Sequence, residues 1–194
     1  MIWRTGDSLP EHVALIRRQI ETGLADPSTR MLAGAIVSGN FDSVLDRRSG
    51  IEVPAVPFHG RWYRGAKDWA AARQICGMRD YMCEATAIWN FIVLNLRYTQ
   101  DQAGEDTYQS LRASLEIGAA DCDDMTIAFA TLLKAVGFEE IYARIVSMGG
   151  ETWDHIYAIV VLPNGKRVVL DATEKGKTPG WEYKFSAAKQ DFVL

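Results

Sequence analysis

The chain has 194 residues, 48% of them hydrophobic and 24% charged, with a formal net charge of −4. That balance excludes a disordered or collagen-like chain, and the length lets one domain bury roughly 70% of its unfolded surface without metal or disulfide staples. No basic stripe points to nucleic acid, and no apolar run approaches the roughly 18 residues of a membrane span.

Arg4, Asp7, Glu11, Arg17 and Arg18 interrupt every early apolar stretch. No secretory leader is therefore expected, and the chain reads as cytoplasmic. Val13, Ile16, Ile20 and Leu24 predict a helix over 10–25. Pro27 opens a second, with Met31, Leu32, Ala35 and Ile36, which Gly39-Asn40 ends. Residues 40–64 carry Pro54, Pro57, Gly50 and Gly60 without helical period, and predict an irregular or extended connector with at most one short strand. Helical spacing returns from Ala66 to about Tyr98, with a break near Gly77. A short helix is expected over 106–115 and a longer one over 122–135, capped by Gly137. The period then changes to two. Strands are predicted over 141–147, 155–162 and 166–171, the last two joined by a two-residue Asn164-Gly165 turn. Helices followed by an antiparallel meander indicate an α+β fold. Residues 1–64 read as a helical and extended segment packed on a core spanning 65–194, in one domain overall.

The cysteines are Cys76, Cys83 and Cys122. An odd count fits a reducing compartment, and none has zinc-ligand spacing, so neither metal nor cofactor is expected. Seven residues along a helix rise about 10 Å, too far for a bridge. Cys76 and Cys83 are therefore read as two small core residues.

Three features carry chemistry. Cys122 opens a helix within Asp121-Cys122-Asp123-Asp124, His155 opens a strand, and Asp171 closes the next. A cysteine nucleophile needs a base and a group to orient that base, and these three residues supply the set. Asp121 suits the N-cap, with Asp124 in capping-box position. The positive helix end favours a thiolate by about 0.3–1 kcal/mol. One solvated carboxylate at 4 Å opposes it by about 1 kcal/mol, so the helix end alone does not decide the charge of the sulfur. A two-residue turn would also set Asp171 opposite Ala158, on the other face from His155. A triad then needs a bulge, a longer loop or strong twist.

In combination these residues resemble the transglutaminase-like superfamily of papain-type cysteine enzymes. The resemblance rests on Asp121-Cys122-Asp123-Asp124, Leu132-Leu133-Lys134-Ala135-Val136-Gly137, Ala143-Arg144-Ile145-Val146, His155-Ile156-Tyr157 and Leu170-Asp171-Ala172-Thr173. Upstream, Val93-Leu94-Asn95-Leu96-Arg97-Tyr98 and Gln109-Ser110 are similar to segments of small bacterial and phage-associated members. It implies a papain-like core, with N-terminal helices on a small antiparallel sheet. It also implies Cys122 as nucleophile, His155 as general base and acid, Asp171 as orienting carboxylate and a peptide or protein amide as substrate. Gln109 is the candidate oxyanion donor by motif position, in competition with Tyr98, Gln100 and Trp153. Hydrolysis, acyl transfer to an amine and a catalytically idle binding module all fit this layout. Ala120 departs from the family, which usually has glycine there.

Overall fold

The computed structural model describes residues 3–4, 8–101, 107–149, 152–174, 176–184 and 186–194. In chain order the elements are β1 (Trp3–Arg4), α1 (Leu9–Ala25), α2 (Pro27–Ser38), β2 (Asp42–Asp46), β3 (Ile51–Phe58), β4 (Arg61–Arg64), α3 (Trp69–Ala72), α4 (Tyr81–Asn95), β5 (Arg97–Tyr98), α5 (Leu111–Ile117), β6 (Ala119–Ala120), α6 (Cys122–Ala135), β7 (Ile141–Ser147), β8 (Thr152–Trp153), β9 (His155–Val161), β10 (Arg167–Leu170) and β11 (Ala188–Val193). The fold is α+β.

Helix α6 is the axis of the core. Every residue from Cys122 to Leu133 is buried, because α1, α2, α4, α5 and β9 all pack on it. Its far end is a Schellman motif. Gly137 takes φ 99°, its N–H reaches the Lys134 carbonyl at 3.1 Å, and the Phe138 N–H reaches that of Leu133 at 3.1 Å. Helix α1 buries Val13, Ile16 and Ile20 as the spacing predicts. Leu24 is exposed instead, and Gly23 takes the contact. A Cβ at Gly23 would lie 2.7 Å from Thr131 Cγ2, so only glycine lets α1 and α6 approach this closely. In α2, Leu32 and Ile36 are buried while Met31 faces solvent.

Strands β10, β9, β7 and β11 form an antiparallel sheet in that order. Ile145, Ile156, Ala158 and Val160 face the main core. Val146, Tyr157, Ile159 and Val169 form a smaller cluster with Tyr142 and Tyr183. The β9–β10 connection differs from the expected two-residue turn. The Leu162 N–H pairs with the Lys166 carbonyl at 2.9 Å, so three residues, Pro163-Asn164-Gly165, make the loop. Gly165 supplies the positive φ of 80°, and Asn164 Oδ1 accepts the Lys166 N–H at 3.0 Å.

Residues 40–64 correct the expected connector: β2, β3 and β4 form a three-stranded antiparallel sheet. Two prolines in a central strand hid it, since proline breaks a ladder. Here each lies where a neighbour stops. Pairing of β2 with β3 ends at Asp42↔Ala55, short of Pro57. Pairing of β3 with β4 ends at Ala55↔Arg64, short of Pro54. The hairpin turns on His59 and Gly60, both at positive φ, which Asn-Gly usually signals.

The helix predicted from Ala66 to Tyr98 is interrupted over 73–80 rather than only at Gly77. Cys76 therefore lies in a loop, its Cα 5.5 Å from that of Cys83, and the two form a disulfide. This overturns their reading as core thiols, because the 10 Å separation holds only along one continuous helix. The bridge also removes the thiol count as an argument for a reducing compartment. The helix expected over 106–115 begins at Leu111, where Ser110 caps it; residue 106 lies outside the described residues. No helix among the described residues is long and apolar enough to cross a membrane.

Candidate active site

The start of α6 is set by the chain before it. Gly118 closes α5 in the left-handed region at φ 72°. Strand β6 then pairs in parallel with β5, Tyr98 opposite Ala120. Gly118 thus makes the bend two residues before Ala120, which sits unstrained in the strand. Asp121 caps α6, its Oδ1 accepting the Asp124 N–H at 3.3 Å. The other half of the expected capping box is not formed: Asp124 Oδ1 accepts the Gln109 N–H at 2.7 Å instead.

Cys122 is the first residue of the helix and 2% exposed. Burial, then the charges of Asp123 and Asp121, push its thiol well up, against the N–H of Ile156 directed at the sulfur. Desolvation and the aspartates therefore oppose the helix end and work against the thiolate. The acidic side chains respond to the same burial. Asp123 is raised well above the carboxylate range by desolvation and by its hydrogen bond with Asp121. Desolvation pushes Asp124 up to about 7, opposed by the Gln109 N–H. Asp121, Cys122 and Asp123 bring three ligand-type atoms within 4.8 Å of one another, but at the positive end of a helix, which disfavours a cation.

His155 starts β9. The three-residue loop pairs Leu170 with Ala158, so Asp171 falls opposite Tyr157, two positions from His155 and on the same face. The longer loop thus removes the parity conflict, and His155 Nε2 meets Asp171 Oδ2 at 2.7 Å. Thr173 completes the acceptor side, donating its N–H at 3.0 Å and its hydroxyl at 2.7 Å to Asp171 Oδ1. Burial works to raise the Asp171 carboxyl, but His155 and Thr173 outweigh it and hold it below its ordinary value. The bond to Asp171 uses Nε2 and leaves Nδ1 as the other ring nitrogen. Strand β9 packs on α6, and the Ile156 N–H, next to His155, works to lower the Cys122 thiol.

Gln109 lies at the third residue of α6 rather than the first, and its Oε1 is enclosed without a hydrogen-bond partner among the described residues. Tyr98 lies within electrostatic reach of Cys122, Asp121 and Asp171. Burial, then the Cys122 charge, pushes its phenol up to about 12, so it remains a donor at neutral pH. A cavity of about 390 Å³ opens beside it, lined by Trp89, Val93, Leu96, Tyr98, Thr173 and Glu174 among others. Trp153 packs against the core.

Sequence reasoning gave no role to Thr173, Trp89 or Tyr183. Thr173 was readable as the end of an Asp-x-Thr turn. The Trp89 Nε1–H donates to the Asp171 carbonyl at 3.4 Å, and Tyr183 meets the His155 ring at 5.5 Å; neither contact leaves a local signal. A second Ser–His–Asp grouping, Ser28, His59 and Asp26, is not a triad. Both partners meet the same ring nitrogen, Nε2, at 3.0 and 2.6 Å, so it is a latch between the start of α2 and the β3–β4 turn.

A family model for the transglutaminase-like superfamily matches residues 70–172, more than half of the chain. The chain belongs to that superfamily. The match spans the start of α6, His155 and Asp171. No curated protein matches the chain.

Proposed function

We propose that the protein is a cysteine-dependent amide hydrolase or acyl transferase, with Cys122 as nucleophile, His155 as base and acid, and Asp171 as the group that orients His155. One observation carries this reading: His155, at the start of β9, is bonded through Nε2 to the buried Asp171 at 2.7 Å, and β9 packs on α6, the helix that Cys122 opens.

In this reading His155 Nδ1 takes the Cys122 proton as the sulfur attacks the amide carbonyl. The new S–C bond pushes the carbonyl electron pair onto oxygen, where the Cys122 N–H at the helix start and the side chain of Gln109 or Tyr98 serve as donors. Collapse breaks the C–N bond. The amine leaves with the proton from His155, and a thioester remains. Water, deprotonated by His155, then releases the acid and restores the thiol. An amine in place of water gives transamidation by the same steps. We favour water, which needs no binding wall of its own, and a peptide or protein amide as substrate.

The burial of Cys122 favours a second reading, a catalytically idle member that uses this fold as a binding or structural module. One experiment separates the two. The purified protein is mixed with p-nitrophenyl acetate between pH 6 and 9, following nitrophenol release and the intact mass. The enzyme reading expects a burst and one acetyl group on the Cys122 peptide. The burst rate should fall about 10³-fold in Asp171→Asn, with circular dichroism showing that the variant folds. No burst and no acetylated Cys122 across that range would sink the enzyme and leave the module.

A further inference from the structure

We infer that residues 176–183 form a strap that shelters the His155–Asp171 hydrogen bond from water, and that Tyr183 is a positioning residue for the His155 ring. The kinetic part of this inference rests on the function proposed above; the structural part does not.

The strap returns along the sheet edge after β10 and is fastened in sequence. The Gly180 N–H donates to the Val169 carbonyl at 2.8 Å. Glu182 Oε1 accepts from Arg144 Nη1 at 2.6 Å and from the Tyr157 hydroxyl at 2.8 Å. Arg144 is itself held by a two-pronged bond to Asp191 on β11, at 2.6 and 2.7 Å. These anchors set Tyr183 edge-on to His155, with ring centroids 5.5 Å apart and planes at 82°. The Tyr183 hydroxyl donates to Glu174 Oε1 at 2.8 Å, so it is engaged away from the imidazole. Trp181 packs on Tyr183 at 4.7 Å, and Lys177 Nζ lies 4.6 Å from the Trp181 ring centre.

The result is an imidazole between two tyrosines, Tyr183 and Tyr157, the latter at 5.6 Å. The His155 side chain is 10% exposed and that of Asp171 1%. An imidazole N–H bonded to a carboxylate holds its ring only while water does not compete for either partner, and a low local dielectric strengthens that bond. Tyr183 closes one side of the imidazole. Edge-to-face packing also opposes rotation of the ring about its bond to Cβ. The Arg-bearing strand thus has a function at a distance: Arg144 fixes Glu182, the residue before Tyr183.

The test reads the ring proton itself. In the low-field proton spectrum, the His155 Nε2–H is assigned by its loss in His155→Gln, and its exchange with water is measured by saturation transfer. The wild type should show the resonance. Tyr183→Phe keeps the ring and should exchange within about threefold of wild type, whereas Tyr183→Ala should exchange at least about tenfold faster while circular dichroism shows a folded protein. Glu182→Gln, which loosens the strap at its anchor, should lie between them, and it serves if Tyr183→Ala does not fold. A wild-type proton already lost to exchange overturns the inference, as does wild-type exchange in the folded variants. No substrate enters this measurement, so a protein without turnover leaves it valid. Where turnover exists, Tyr183→Ala should lower kcat about tenfold with KM little changed, and Tyr183→Phe should restore it.

Discussion

Helices α4 and α6 begin alike and treat their cysteines in opposite ways. Each is capped by an aspartate whose carboxylate accepts the N–H of the third helical residue: Asp80 from Cys83 at 3.1 Å, Asp121 from Asp124 at 3.3 Å. Each carries a cysteine in its first turn. At α4 the surroundings are a half-exposed loop, and Cys83 is tied to Cys76. At α6 the surroundings are the centre of the core, and Cys122 is a free thiol among three buried aspartates. The helix end is common to both, so it is not what distinguishes a candidate nucleophile. The distinction comes from the strand that α6 meets: β9 packs on α6 and opens with His155, bonded to Asp171.

The largest expected effect exchanges the two cysteines as targets. Cys122→Ala should lower turnover of an activated ester by about 10⁴-fold or more, the scale of removing a nucleophile. Cys83→Ser should leave it within about twofold. Steady-state rates on both variants, with melting curves to show that each folds, check the contrast. Equal losses would erase the distinction between the two helix starts.

Alkylation sharpens the same contrast in the resting protein. Cys76 and Cys83 do not react while bridged. Cys122 is enclosed and its ionisation is pushed up, so iodoacetamide should modify it slowly at pH 7 and faster as pH rises. After mild reduction the half-exposed Cys76 and Cys83 should be labelled first, about a hundredfold faster than Cys122. Peptide mass spectrometry over a time course gives the order.

What was legible in the sequence divides along the same line between local and distant causes. The limits of α6 follow from Asp121 and Gly137, because caps are written in adjacent residues. The order Cys122, His155, Asp171 is legible as a motif. The hydrogen bond between the last two required the loop to count Pro163 as well as Asn164-Gly165, and one residue of register decides a face. Strands β2 to β4 were hidden by Pro54 and Pro57, whose tolerance depends on where neighbouring strands stop. The disulfide was hidden because Asp80, rather than Gly77 alone, marks the start of α4. The charge of Cys122 was not decidable at all, since desolvation comes from five elements packed on α6.

The third helical residue offers a pH test of the two starts. At α4 it is Cys83, which is bridged and does not titrate. At α6 it is Asp124, pushed up to about 7 by burial, against about 3.9 in an unfolded chain. A folded pKa raised above the unfolded one means that the folded state holds a proton the unfolded state has released. The contribution is fully present below about pH 4 and is lost as pH rises towards 7. Asp124→Asn, which keeps an acceptor for the Gln109 N–H, should therefore gain stability over wild type between pH 5 and pH 8 by about 3 kcal/mol. Urea unfolding at both pH values measures it. A constant difference would mean that Asp124 is charged throughout.

The smallest effect belongs to the bridge. Closing a loop between residues seven apart should stabilise the fold by about 2 kcal/mol through the unfolded chain. For a chain of this length that corresponds to roughly 4–8 °C in Tm. Packing supplies little of this. Met78 in the loop is 94% exposed and Ile75 64%, although Ile75 Cγ1 and the Ala72 carbonyl approach Gly39 closely enough that a Cβ there would lie 3.0 Å from each. The loop, α2 and the start of α4 border a cavity of about 340 Å³ lined by Ile36, Phe41, Ala72, Met82, Cys83 and Thr86 among others. Reduction should therefore loosen this corner while α6 keeps its packing. Calorimetry with and without a phosphine reductant should show the fall in Tm, and amide exchange should speed up over 73–84 but not over 122–133. An unchanged Tm would mean that the contacts at Gly39 hold the loop without the bridge, and faster exchange in α6 would show that the two helix starts are not energetically separate.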